Sequence, residues 1–122
     1  MGKTTTALAV KFVMTFAAAW IAVSLIAGNE WTWALWVGIL GTIINYVIGD
    51  RFFLPNYGNM VASVAGGILG AGLLFMLDML SADLSLNATA YVTFFLLVAV
   101  GEYFFHRYLI GAGIVEASKE KA

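Results

Sequence analysis

Glu102 and His106 stand four residues apart in an apolar stretch, so on a helix the carboxylate and the imidazole share one face. A pair of this kind below a membrane surface can relay protons, because burial and neighbouring charge decide which group holds the proton. Lys11 lies about two helical turns into a different apolar stretch, at a depth that matches Glu102 and permits an ion pair. Asn45 falls in the same layer. Ionisable groups inside a membrane span are costly unless paired or hydrated, so each needs a reason to be there. Lys11, Asn45, Glu102 and His106 equally well make a structural network that fixes helix order. Lys11 has the alternative of snorkelling to the interface, which leaves Glu102 to His106 or Arg107. Asp50, Arg51, His106 and Arg107 are expected closer to the surface than Lys11 and Glu102.

Other chemistries find no residues. One histidine and no cysteine cannot make a His/Cys metal cluster, and no Ser/His/Asp set or phosphate-cradling glycine loop is present. The expectation is therefore a protein that is not an enzyme and takes no cofactor. A net charge of −1 gives no basic patch for nucleic acid. Glu30, Asp78 and Asp83 lie together at the other end of the spans and read as solvated loop ends.

The elements that must position these groups follow from composition. With 62% hydrophobic and 11% charged residues in 122, the chain has little to place in water, and lipid is the expected solvent. Four apolar runs, at about 5–27, 31–49, 59–80 and 88–110, are each long enough to cross a hydrocarbon core of about 30 Å. Short connectors make neighbours antiparallel, so the fold class is an all-α membrane protein, an up-down-up-down bundle of four transmembrane helices in a single domain. All six Lys and Arg residues flank the same ends of these runs, and the connectors 28–30 and 81–87 hold none. That split places both termini on the cytoplasmic side of the membrane, with 111–122 as a cytoplasmic tail. Lys11 interrupts the first run too early for a cleaved secretory signal, so that run is read as a retained span.

Small residues mark the faces that pack. Gly38, Gly41, Asn45 and Gly49 lie on one stripe of the second run, and Ala62, Gly66 and Gly70 on one stripe of the third. Lys11, Thr15, Ala18 and Ala22 are in register on the first. These stripes face either the bundle interior or a partner: a second copy of the chain or another membrane protein. Gly28 with Asn29 suits a helix stop, and Asn87 suits either a helix cap or a glycosylation acceptor. Between the second and third runs, Gly49 is expected to end the helix and Pro55 to force a turn at the interface. Asp50 then accepts from backbone or from Arg107, and Asn59 caps the next helix.

The run Asn45-Tyr-Val-Ile-Gly49-Asp50, then Leu54-Pro55 and Asn59-Met-Val-Ala62, together with Lys11-Phe-Val-Met-Thr15, Glu102 and His106-Arg-Tyr108, resembles the YndM-like family of small membrane proteins from spore-forming Gram-positive bacteria. The resemblance runs over most of the chain and implies a four-span inner-membrane protein of uncharacterised function. It carries no catalytic residue across. The functional expectation is an accessory, assembly or envelope/sporulation-associated component. A small transporter or channel moving protons or small cations past Glu102 and His106 is the alternative. Arg51, Arg107 and the tail could also meet anionic lipid headgroups.

Overall fold

The computed structural model describes residues 3–111, and the tail expected beyond Gly111 lies outside the described residues. Four helices are long and apolar enough to cross a membrane: Thr4–Ile26, Trp31–Tyr57, Asn59–Leu80 and Ala88–Gly111. They are called the first to fourth helices below. Among the described residues there is no strand.

Polarity runs opposite to that of a water-soluble domain. Val13, Leu25, Met79 and Phe104 are each at least 60% exposed, while Lys11, Asp50, Glu102 and His106 are at most 1% exposed. Apolar side chains outside and charges inside is the arrangement that lipid as solvent demands, since a lipid-facing charge has nothing to pair with. Buried positions recur every three or four residues, as at 7, 11, 15, 18 and 22 in the first helix and at 94, 98, 102 and 106 in the fourth.

The small-residue stripes are used inside the bundle. A Cβ added at Gly38 would sit 3.1 Å from Phe16, one at Gly41 3.1 Å from Thr15, and one at Gly70 2.9 Å from the Phe94 ring. Glycine at these points lets the first and second helices, and the third and fourth, approach to where any side chain would collide. Ala62 is fully buried as well.

The second helix departs from the expectation that it ends at Gly49. Its α geometry over Trp31–Ile44 widens into a π-helix over Asn45–Phe53, then tightens to one α turn over Leu54–Tyr57. The Leu54 N–H donates to the Gly49 carbonyl five residues back, which is the π register. Pro55 therefore does not turn the chain: it has no N–H to offer, and the wider register ahead of it gives its ring room that an α-helix denies. The turn comes at Gly58, whose φ of 90° is open to glycine and unfavourable for other residues. Asn59 is the first residue of the third helix, where Gly58 stands at the cap position, so the expected side-chain cap is absent there.

At the far end the sequence signals act as read. Gly28, φ 80°, closes the first helix with its N–H on the Ser24 carbonyl. Asn87 caps the fourth, its Oδ1 accepting from the Ala90 N–H at 2.8 Å. Asn29 ties the two connectors together, donating to the Ser85 carbonyl at 2.7 Å and accepting from the Ser85 N–H at 2.9 Å.

Candidate functional site

Each of the four helices sends polar side chains to one buried layer. Lys11 comes from the first, Asp50 from the π segment of the second, Asn59 and Ser63 from the third, and Glu102 with His106 from the fourth. The Lys11 ammonium donates to both oxygens of Glu102 at 2.5 and 2.6 Å. It also lies 3.1 and 3.3 Å from the two oxygens of Asp50 and 4.7 Å from the centre of the Phe105 ring. This refutes the snorkelling alternative, because Lys11 is fully buried with its charge turned inward.

His106 is held from both sides. Nε2 is 2.8 Å from Asp50 Oδ1 and 3.2 Å from Glu102 Oε1, and Nδ1 is 2.8 Å from Asn59 Oδ1. Asn59 is itself oriented, since its Nδ2 donates to the Tyr103 carbonyl at 3.0 Å and its Oδ1 accepts from Ser63 Oγ at 3.0 Å. Two carboxylates and one ammonium thus share a site that water does not reach, with an imidazole as the fourth member.

Several residues sit elsewhere than the sequence suggested. Asp50 and His106 are buried members of the layer, at most 1% exposed. Arg107 is exposed and reaches neither Glu102 nor Asp50, and among the described residues it has no partner. Arg51 is exposed too, its guanidinium 6.0 Å from the centre of the Tyr46 ring. Asn45 stands beside the layer: a Cβ on Gly66 would meet Glu102 Cγ at 3.2 Å and Asn45 Oδ1 at 3.6 Å. Among the described residues no donor is directed at Asn45 Oδ1, Thr15 Oγ1 or Asp50 Oδ2, although Lys11 lies close to the last.

Asp50, Asn59 and Ser63 are the members that sequence reasoning missed. For Asn59 and Ser63 there was a signal, two polar residues four apart on an otherwise apolar helix. For Asp50 there was none in the α period. Only a π turn puts a residue five after Asn45 on the same face.

One ligand atom each from Asp50, Glu102 and His106 lies within 4.8 Å of the others, a set that could hold a divalent ion. Lys11 already supplies positive charge at that point, within 3.3 Å of both carboxylates. The site is best described as an ion-paired tetrad of Lys11, Asp50, Glu102 and His106.

Apolar packing closes the layer on both sides. Ala7, Leu54, Ala62, Phe105 and Leu109 cluster on the side of the first helix's start. Ala18, Ala22, Val23, Val37, Leu74, Phe94 and Val98 are part of a larger cluster on the other. Beyond it, a cavity of about 730 Å³ opens at the far end, lined in part by Glu30, Trp33, Trp36 and Asp83. Asp78 is not among its walls and accepts from the Tyr91 hydroxyl at 3.2 Å.

A family model described as a protein of unknown function (DUF2512) matches residues 2–122. No curated protein and no solved structure matches the chain. The chain belongs to the DUF2512 family.

Proposed function

We propose that this member of a family without an assigned activity is a non-enzymatic, multi-pass protein of the bacterial plasma membrane, in which the tetrad locks four helices into one arrangement. The observation that carries the reading is the closure of the tetrad: Glu102 is 1% exposed and doubly bonded to Lys11, and each of the four helices contributes a side chain to the layer. A buried charge with a partner on another helix disfavours every packing that separates the two, so the network specifies helix order. The finer features belong to this proposal as well. Contacts such as Lys11 with Asp50 and Thr15 with Gly41 run in opposite directions along the two helices, which supports an up-down order. The split of basic residues supports both termini inside. The YndM-like motif residues support placement in that group, with an accessory, assembly or envelope/sporulation role among lipid and membrane-protein partners.

The test is native mass measurement of the purified protein in detergent and in lipid nanodiscs. The accessory reading expects a second copy or a co-purifying membrane protein. A strictly monomeric species that carries nothing with it counts against it.

A transporter reading keeps one observation in its favour, the buried oxygens Thr15 Oγ1 and Asn45 Oδ1 beside the tetrad. Proton or cation flux into proteoliposomes decides between the two. Flux that survives Glu102→Gln unchanged removes the tetrad from any such path.

A further inference from the structure

We infer that the tetrad is a proton-binding site, with one proton held on His106 between Asp50 and Asn59 and reached from the end of the bundle closed by Ala7, Leu54, Phe105 and Leu109. This goes beyond the locking role, because it gives the site a ligand that can come and go.

The donor and acceptor inventory carries the first half. A neutral imidazole has one N–H and one bare nitrogen, so a neutral His106 must face at least one donor. It faces acceptors on both sides, since the Ser63 hydroxyl, 3.4 Å from Nδ1, gives its one proton to Asn59 Oδ1 at 3.0 Å. Asn59 presents Oδ1 to Nδ1, and reversing that amide would set its oxygen against the Tyr103 carbonyl. Asp50 presents a carboxylate oxygen to Nε2, with Glu102 Oε1 next to it. Both ring nitrogens therefore donate, and His106 is an imidazolium.

Charge balance agrees. The groups facing His106 are Lys11 from the first helix, Asp50 from the second, the uncharged Asn59 and Ser63 from the third, and Glu102 on its own helix. Lys11 cancels one of the two carboxylates. Without a second positive charge the site would hold a net negative charge away from water, and a proton on His106 makes it neutral. A proton lodged on Asp50 instead would also give neutrality, but it would surrender the ionised partner that Lys11 holds at 3.1 Å.

Asymmetric burial carries the second half. Ala7 lies one turn before Lys11, Leu54 one turn after Asp50 and Leu109 three residues after His106, so among the described residues this seal is about 6 Å thick. On the other side the packing begins at Val98, one turn before Glu102, and continues past Val23, about 18 Å beyond Lys11. Exchange takes the thinner route.

The chain has a single histidine, so ring ¹⁵N spectra of histidine-labelled protein in nanodiscs read this site alone. At a pH of about 7.5, where a free imidazole with its ordinary value of about 6.5 is mostly neutral, the wild type is expected to show both ring nitrogens protonated. Asp50→Asn, which removes one negative charge, is expected to give a neutral ring. A neutral ring in the wild type overturns the proposal, whether or not Asp50→Asn folds. For the route, deuterium exchange at the ring is expected to accelerate on the order of tenfold in Leu54→Val and to stay unchanged in Val23→Ala. Equal acceleration in both, or none in Leu54→Val, refutes access from that end. These readings leave the copy number and partners of the protein untouched, so they fail or succeed independently of the accessory role.

Discussion

Asp50 and His106, 56 residues apart in the chain, meet at 2.8 Å inside the bundle, and both are within 1% of complete burial. The contact joins the π segment of the second helix to the fourth helix. Together with the approach of His106 Nε2 to Glu102 Oε1 at 3.2 Å, it ties the pairs Lys11 with Glu102 and His106 with Asn59 into one network.

Removing Lys11 alone leaves two buried carboxylates against one cation. Lys11→Met is expected to destabilise the folded bundle by about 3–5 kcal/mol, the range for breaking one side of a buried pair. The double variant Lys11→Met/Glu102→Gln removes one charge of each sign and is expected to regain part of that loss, with a coupling of up to about 3 kcal/mol. Reversible unfolding in mixed micelles measures both; additive losses would show that the pair is not coupled.

Glycines on the packing faces and on the lipid face should respond differently. A Cβ at Gly67 would stand 2.7 Å from the Phe95 ring and 3.0 Å from its carbonyl oxygen, so Gly67→Ala must push two helices apart. A loss of about 1–3 kcal/mol is expected. Gly72 has nothing within 4 Å of such an atom, and Gly72→Ala is expected to be neutral or stabilising by up to about 1 kcal/mol through helix propensity. Thermal unfolding of the two variants side by side checks the contrast.

Asn29 holds the far connectors together with its one side chain. Asn29→Ala gives up bonds to the Val23 carbonyl and to both backbone groups of Ser85. Because the site is partly exposed, water replaces some of these, and the expected loss is about 1–2 kcal/mol. Hydrogen exchange should rise at Ser85 and its neighbours while the tetrad residues keep their protection; uniform exchange gains would point to global loosening instead.

Orientation can be read by chemical labelling, since the chain has no cysteine of its own. Ser85→Cys is expected to react with a membrane-impermeant maleimide added to intact cells, and Asn56→Cys only after the membrane is opened. Both positions are exposed. The reverse pattern would mean that the basic residues face outward.

Much of this was legible without coordinates. Composition and the length of the apolar runs identify the four helices, because hydrocarbon thickness sets a minimum length that core helices rarely reach. The small-residue stripes at Gly38, Gly41, Ala62, Gly66 and Gly70 were readable from spacing, since the α period holds where they lie. The pairing of Lys11 with Glu102 was readable from depth, because each span is a straight ruler of about 1.5 Å per residue.

What depth and period could not supply was the place of Asp50. Counted at 3.6 residues per turn, Asp50 leaves the face of Asn45 and Gly49, and a Gly-Asp pair ahead of a proline reads as a helix end. The choice between ending there and widening into a π-helix depends on what the extra turn can reach. Here it reaches Lys11 and His106, whose charges are set in place by two other helices. A local pattern reports how a segment would fold with its surroundings averaged away, and so it determined the helices and their apolar faces. The gain from pairing a buried carboxylate exists only once the partners are assembled. That is why tertiary structure alone decided the course of the second helix, the burial of His106 and the membership of the tetrad.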